Sequence, residues 1–235
     1  LSVFRDSFGE LWLYSEMPGV VRYNLETEEK QHYITPKEDL PKAERLSRDL
    51  IFEDKQGTLW MVPHRGGFSY YDRKNKQLKP YYTDYNNPDT KFNPVILNSF
   101  LDQQGNLWIC NHWDVTKISF YQPDGSLKGY LTPAGTISSQ PISFQKNIYC
   151  FREDENGVIW MGSKLDGLFQ LERTGNDHFQ IRQFTHQEDN PYSLSHNSIY
   201  SIYQDHQKRI WIGCHGGGLN LLEKTPEGEI RFIHS

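Results

Sequence analysis

The side chains best able to do chemistry in this chain recur at one offset. Four residues after each of Trp12, Trp60, Trp108, Trp160 and Trp211 stand Glu16, His64, His112, Lys164 and His215. A carboxylate, an ammonium and three imidazoles are hydrogen-bonding and acid–base groups, and imidazole is also a common metal ligand. Arg65 follows His64, and Trp113 follows His112. An aromatic plate beside polar groups suits a site that orients a small ligand. The expected ligand-contact set is therefore His64, Arg65, His112, Trp113, Lys164 and His215. The competing reading leaves each histidine a solvated loop residue and packs Trp113 over a neighbouring unit. Joint zinc binding is not expected. Zn–N bonds are about 2.0–2.1 Å, and equivalent loops of separate units should stand much farther apart than that.

Other patterns are weaker. Gly216-Gly217-Gly218 resembles a phosphate loop, but Leu219-Asn220-Leu221-Leu222 reads as a strand, where an anion would need a helix N-terminus. The Asp-x-x-Gly turns, with Asp154-Glu155-Asn156-Gly157 the nearest to a calcium loop, lack the downstream Glu of an EF-hand. Turn capping is their expected role. No nucleophile, base and orienting group can be matched, so no catalytic residue, metal or cofactor is expected.

The elements that must position these groups are set by a repeat. The steps between the five tryptophans are 48, 48, 52 and 51 residues, and an acid lies six residues before each: Asp6, Asp54, Asp102, Asp154 and Asp205. Gly9, Gly57, Gly105 and Gly157 follow their Asp by three residues, while the fifth unit has Lys208 there. That turn should be slightly different or strained, because glycine best supplies a positive φ. A period near 50 residues built of short strands indicates a propeller, one unit per blade. The fold class is all-β: a propeller of four-stranded antiparallel blades, five blades present, as a fragment of a larger propeller. The blades are expected at 1–44, 45–93, 94–144 (divergent, with Val115 where its siblings have glycine), 145–195 and 196–235. In the fifth, 199–203, 209–214, 219–222 and 230–233 read as strands. The five tryptophans are expected in the core between blades and the five aspartates in the turns.

Composition excludes several classes. The net charge of −5 carries no basic stripe, which argues against a nucleic-acid partner. No stretch reaches the roughly 18–20 apolar residues of a membrane span, so no membrane contact by this segment is expected. Cys110, Cys150 and Cys214 sit in strand-like runs and read as small buried hydrophobes, with one disulfide plus a spare thiol as the alternative. Leu1 already lies in the approach to the first unit, so the chain reads as a piece of something longer.

The run Asn190-Pro191-Tyr192-Ser193-Leu194-Ser195-His196-Asn197-Ser198-Ile199, continuing through Asp205, Ile210-Trp211-Ile212-Gly213 and Gly216-Gly217-Gly218, closely resembles the two-component regulator propeller repeat. The likeness is strong in the fourth and fifth units, clear in the second, weaker in the first, and lost after Trp108 in the third. It implies the periplasmic sensor region of a hybrid two-component receptor. Such a segment would recognise a small molecule or oligosaccharide, sit in a homodimer, and depend on a kinase elsewhere in the protein. The segment itself is not expected to be an enzyme. A propeller lyase or glycoside-cleaving enzyme, or a structural dimerisation spacer, is the alternative.

Overall fold

The computed structural model describes residues 3–14, 20–33, 50–54, 57–62, 69–80, 96–111, 117–121 and 127–234. Among these every regular element is a β-strand. The chain divides into two units, Leu1–Leu97 and Asn98–Ser235. The first unit holds two four-stranded antiparallel sheets. One contains β1 (Val3–Arg5), β2 (Leu11–Leu13), β3 (Val20–Tyr23) and β4 (Lys30–Tyr33) in chain order. The other contains β5 (Leu50–Glu53), β6 (Leu59–Val62), β7 (Ser69–Asp72) and β8 (Gln77–Pro80).

The second unit holds three sheets. The third blade has β9 (Ile96–Leu101), β10 (Leu107–Asn111), β11 (Lys117–Tyr121) and β12 (Leu127–Leu131), extended by a short β13 (Ile137–Ser138). The fourth is β14 (Ile148–Glu153), β15 (Ile159–Ser163), β16 (Leu168–Gly175) and β17 (His178–Phe184). The fifth is β18 (Ile199–Gln204), β19 (Ile210–Cys214), β20 (Gly218–Lys224) and β21 (Ile230–His234). Strand order following chain order in every sheet, each strand antiparallel to the next, is the blade of a β-propeller.

One departure from the expected pattern is local. The third blade carries a fifth strand because the chain after β12 turns back on itself and then ties to the fourth blade. Ile137 N–H donates to the Asp177 carbonyl at 3.2 Å, and Phe179 N–H to the Gly135 carbonyl at 2.7 Å. Gly135 is at φ +81°, and a Cβ there would collide with the Phe179 carbonyl oxygen. Only glycine fits this crossing.

The turn chemistry explains the fixed six-residue spacing from Asp to Trp. In the first blade Asp6 Oδ1 accepts the N–H groups of Phe8 and Glu10, while Oδ2 accepts the Trp12 indole N–H at 2.9 Å. The indole bond recurs at Asp54–Trp60, Asp102–Trp108, Asp154–Trp160 and Asp205–Trp211, at 2.8–3.0 Å. One carboxylate thus caps the turn and fixes the ring that the blade offers to its neighbour. Lys208 keeps the same turn at φ +67°, its N–H donating to the Asp205 carbonyl. The geometry is unchanged, and the cost is a left-handed conformation without glycine, about 1 kcal/mol.

Trp12, Trp108 and Trp160 are buried, while Trp60 and Trp211 are partly exposed. Trp12 packs edge-on against Tyr71 of the second blade, Trp108 against Phe179 of the fourth, and Trp160 lies in one cluster with Ile199, Ile212 and Phe232 of the fifth. In these three cases the ring is covered by the following blade. All three cysteines are free and buried, which removes the disulfide alternative.

Candidate functional site

Of the residues expected to contact a ligand, Lys164 and His215 are described, and both are exposed. Lys164 lies between β15 and β16, and His215 between β19 and β20. Glu16, His64, Arg65, His112 and Trp113 lie outside the described residues. The backbone holds the two described positions identically. Lys164 N–H donates to the Asn147 carbonyl and His215 N–H to the Ser198 carbonyl, both at 2.8 Å. In each case the acceptor is the residue just before the blade's first strand.

Those first strands carry a second equivalence that sequence reasoning missed. Residue pairing shifts register between Ile148 and Cys150 in β14, and between Ile199 and Ser201 in β18. Each shift is a bulge with a tyrosine in the extra position, Tyr149 and Tyr200. Bulges re-aim side chains and cluster near functional sites. Here they bring the two rings together, 5.4 Å between centroids and 80° between planes. His215 extends the row, its ring 5.3 Å from that of Tyr200.

Close packing supports the row from behind. A Cβ on Gly162 would lie 2.5 Å from both Cys150 Sγ and Ile199 Cγ2, so β15 can approach the fifth blade only with glycine there. Asn98 of β9 donates from Nδ2 to the Tyr149 carbonyl at 3.0 Å, tying the third blade to the bulge. The connector before β18 is pinned by Asn220, which is fully buried. Its Oδ1 accepts the Ser195 N–H and its Nδ2 donates to Ser195 Oγ, each at 2.8 Å. Ser193 Oγ accepts the Gln187 N–H, and the His234 ring meets the Ser193 carbonyl at 2.6 Å. The polar residues of the Asn190–Ser198 run are thus spent holding the loop that delivers Tyr200.

Asp166, in the Lys164 loop, pairs with Lys146 at 2.6 Å, so its carboxylate is largely neutralised. Burial pushes the Cys214 thiol up, away from thiolate chemistry. Among the described residues no group of three His, Cys, Asp or Glu side chains is placed to hold a metal ion. No described helix is long and apolar enough to cross a membrane.

The model of the two-component regulator propeller family matches residues 143–164 and 193–216. Both matches run from the approach to a first strand, through the bulged tyrosine and the Asp–Trp hairpin, to the Lys164 or His215 loop. Residues 143–164 and 193–216 each carry a two-component regulator propeller repeat. Solved structures share the fold. The extracellular domain of a B. thetaiotaomicron protein assigned to a one-component system superposes with a TM-score of 0.65 at 19% identity, covering 92% of this chain and 26% of its own. The extracellular domain of a B. thetaiotaomicron protein assigned to a hybrid two-component system gives 0.62 at 21% identity, covering 94% and 26%. Histidine kinase P4 of Formosa agariphila is 24% identical over 98 residues, 39% of this chain and 7% of that protein. The chain therefore spans about a quarter of each of these solved relatives, and the aligned part is a small fraction of the kinase.

Proposed function

We propose that this segment is the sensing part of an extracytoplasmic propeller in a hybrid two-component receptor anchored in the inner membrane. It recognises an oligosaccharide or small molecule on the loop face that carries Lys164 and His215, and has no catalytic role of its own. The observation that carries this reading is the pair of regulator propeller repeats at residues 143–164 and 193–216, both ending at that face. The shape shared with two extracellular receptor domains supports it.

In this reading the receptor is a homodimer, and its kinase lies elsewhere in the full-length protein. Blades packed through buried indoles move as rigid bodies. A ligand that fits one arrangement of the dimer better than another shifts the population toward it. The test is a receptor-dependent transcriptional reporter exposed to a panel of oligosaccharides and small metabolites. An inducer that also binds this chain in calorimetry, with induction lost when residues 164–167 and 215–217 are replaced by Gly-Ser linkers, supports the reading. Undiminished induction in that replacement contradicts it.

A further inference from the structure

We propose that the Trp211 face of the fifth blade is an open seam that seats a further four-stranded blade of the same polypeptide. The contact is apolar and dispenses with the arginine lock of the ionic seams. It holds whether or not a ligand binds the loop face.

Register identifies the face. Side chains paired across antiparallel strands stand on one side of the sheet. In the fifth blade one such row is Tyr203, Trp211, Leu221 and Ile233. The matching row of the fourth blade is Arg152, Trp160, Gln170 and Arg182. There Trp160 is 2% exposed, clustered with Ile199, Ile212 and Phe232 of the fifth blade. In the fifth blade Trp211, Leu221 and Ile233 are partly exposed and Tyr203 is 61% exposed. The open row is thus the more apolar of the two: a tyrosine, a leucine and an isoleucine stand where the covered row has two arginines and a glutamine. A contiguous exposed patch of this kind marks an interaction surface.

The repeat commits the occupant to a blade. Gly213 is the counterpart of Gly162, each two residues after its tryptophan. A Cβ on either would strike the first strand of its own blade, at Cys150 or at Ser201. At Gly162 it would also strike Ile199, on the first strand of the following blade, at 2.5 Å. At Gly213 the three nearest atoms all belong to the fifth blade, so the same close approach is left open. Another first strand, set against β18 as β18 is set against β14, fits it. In the solved structures that share the fold, the matched part is 26% of each chain, which leaves room for more blades on one polypeptide.

Asp205 sets the chemistry of the contact. Asp6 and Asp102 take their cation from the blade that follows, through Arg73 and Arg173. Asp205 has its own. Arg209 Nε donates to Asp205 Oδ2 at 2.7 Å, and the guanidinium carbon lies 5.3 Å from the centroid of the Trp211 ring. A second guanidinium at that carboxylate would be repelled by the first. The occupant therefore offers apolar side chains, as the fifth blade does to the fourth.

The experiment is hydroxyl-radical footprinting, read by mass spectrometry, of this chain and of the full-length receptor, each at two concentrations. Tyr203 should label in this chain and lose its labelling in the receptor at both concentrations, while Trp160 stays protected in each. In the receptor, a photo-crosslinking side chain in place of Leu221 should join a further repeat unit. With mixed light and heavy receptor, the link should stay within one copy. The joined unit should have no arginine thirteen residues after its tryptophan, the place of Arg73 and Arg173. Equal labelling of Tyr203 in the two proteins overturns the proposal. So does protection that appears in this chain at the higher concentration alone, which makes a second copy the occupant. A link to another copy, to another protein, or to a unit that has the arginine overturns it as well.

Discussion

The seam between the third and fourth blades and the seam between the fourth and fifth are built on one repeat but held by different forces. The first is laced with charge. Arg173 reaches from the fourth blade to Asp102, whose side chain is fully buried, at 3.0 Å, and stacks over Phe179. In return Glu153 accepts the Gln103 N–H from the third blade's turn. The second seam is apolar: Trp160, Leu168 and Phe184 meet Ile199, Ile210, Ile212 and Phe232. Among the described residues the ion pair across it is Lys208–Glu155, exposed and 3.5 Å long. At the two positions of the charged lock the fifth blade has Gln204 and Lys224 in place of Glu153 and Arg173. The first and second blades repeat the lock, with Arg73 on Asp6 at 3.0 Å and Glu53 on the Ser7 N–H at 2.7 Å. The Asp–Trp hairpin thus serves every blade, and two residues outside it decide whether a seam is ionic or dry.

That contrast can be broken most severely at Arg173. Arg173→Ala leaves the Asp102 carboxylate buried without its cation, which should cost about 3 kcal/mol. Lys224→Ala, at the same position of the dry seam, should stay within about 0.5 kcal/mol. Chemical denaturation of the two variants checks the difference. The dry seam has its own weak point. Gly162→Ala drives a methyl into Cys150 and Ile199, an overpacking that should cost about 2 kcal/mol. Gly213→Ala, which meets mainly the Ser201 hydroxyl, should cost less in the same melt.

Acid should separate the seams further. Partial burial raises the Glu153 carboxyl from its ordinary 4.5 to about 7; the charges of Asp102 and Asp154 add to the rise, while the Gln103 N–H and Arg173 oppose it. The folded state then holds a proton that the unfolded chain releases. This contribution is complete below pH 4.5 and is lost as the pH rises toward 7. After discounting for solvent screening it is about 1 kcal/mol. Denaturation at pH 5 and pH 8 should show that gain in wild type and lose it in Glu153→Gln. The smallest effect lies in the fifth blade's turn. Lys208→Gly removes a left-handed lysine and should stabilise by about 0.5 kcal/mol, read as a small rise in melting temperature.

Much of this fold was legible because the hairpin is a local device. Asp, turn and Trp lie within seven residues, so their period exposes the blades, and the four strands and the turns of the fifth unit follow from the alternation of Ile199–Tyr203 and the glycines after Trp211. The six-residue spacing was visible, but its cause, the indole bond to the carboxylate, needs coordinates. The loop face was legible only as an offset, at Lys164 and His215. Tyr149 and Tyr200 were missed although each stands five residues before its Asp. In sequence a tyrosine in a strand is ordinary. It becomes a surface feature only through a bulge, an extra residue in the ladder of two paired strands that leaves no mark on residue type. Arg173 and Asp102 were missed as partners for a related reason: they are 71 residues apart and meet only when blades pack.

The indoles of Trp12, Trp108 and Trp160 are held by their Asp and covered by the blade that follows, and indole N–H hydrogen exchange tests this most directly. With nitrogen-15 in the tryptophans, the indoles of Trp108 and Trp160 should exchange slowest. Trp211 is partly exposed and its Asp205 is drawn into a bond with Arg209, so its indole should exchange measurably faster, yet slower than a free indole. Exchange of Trp108 or Trp160 at the free rate, or of all three at one rate, would contradict the account.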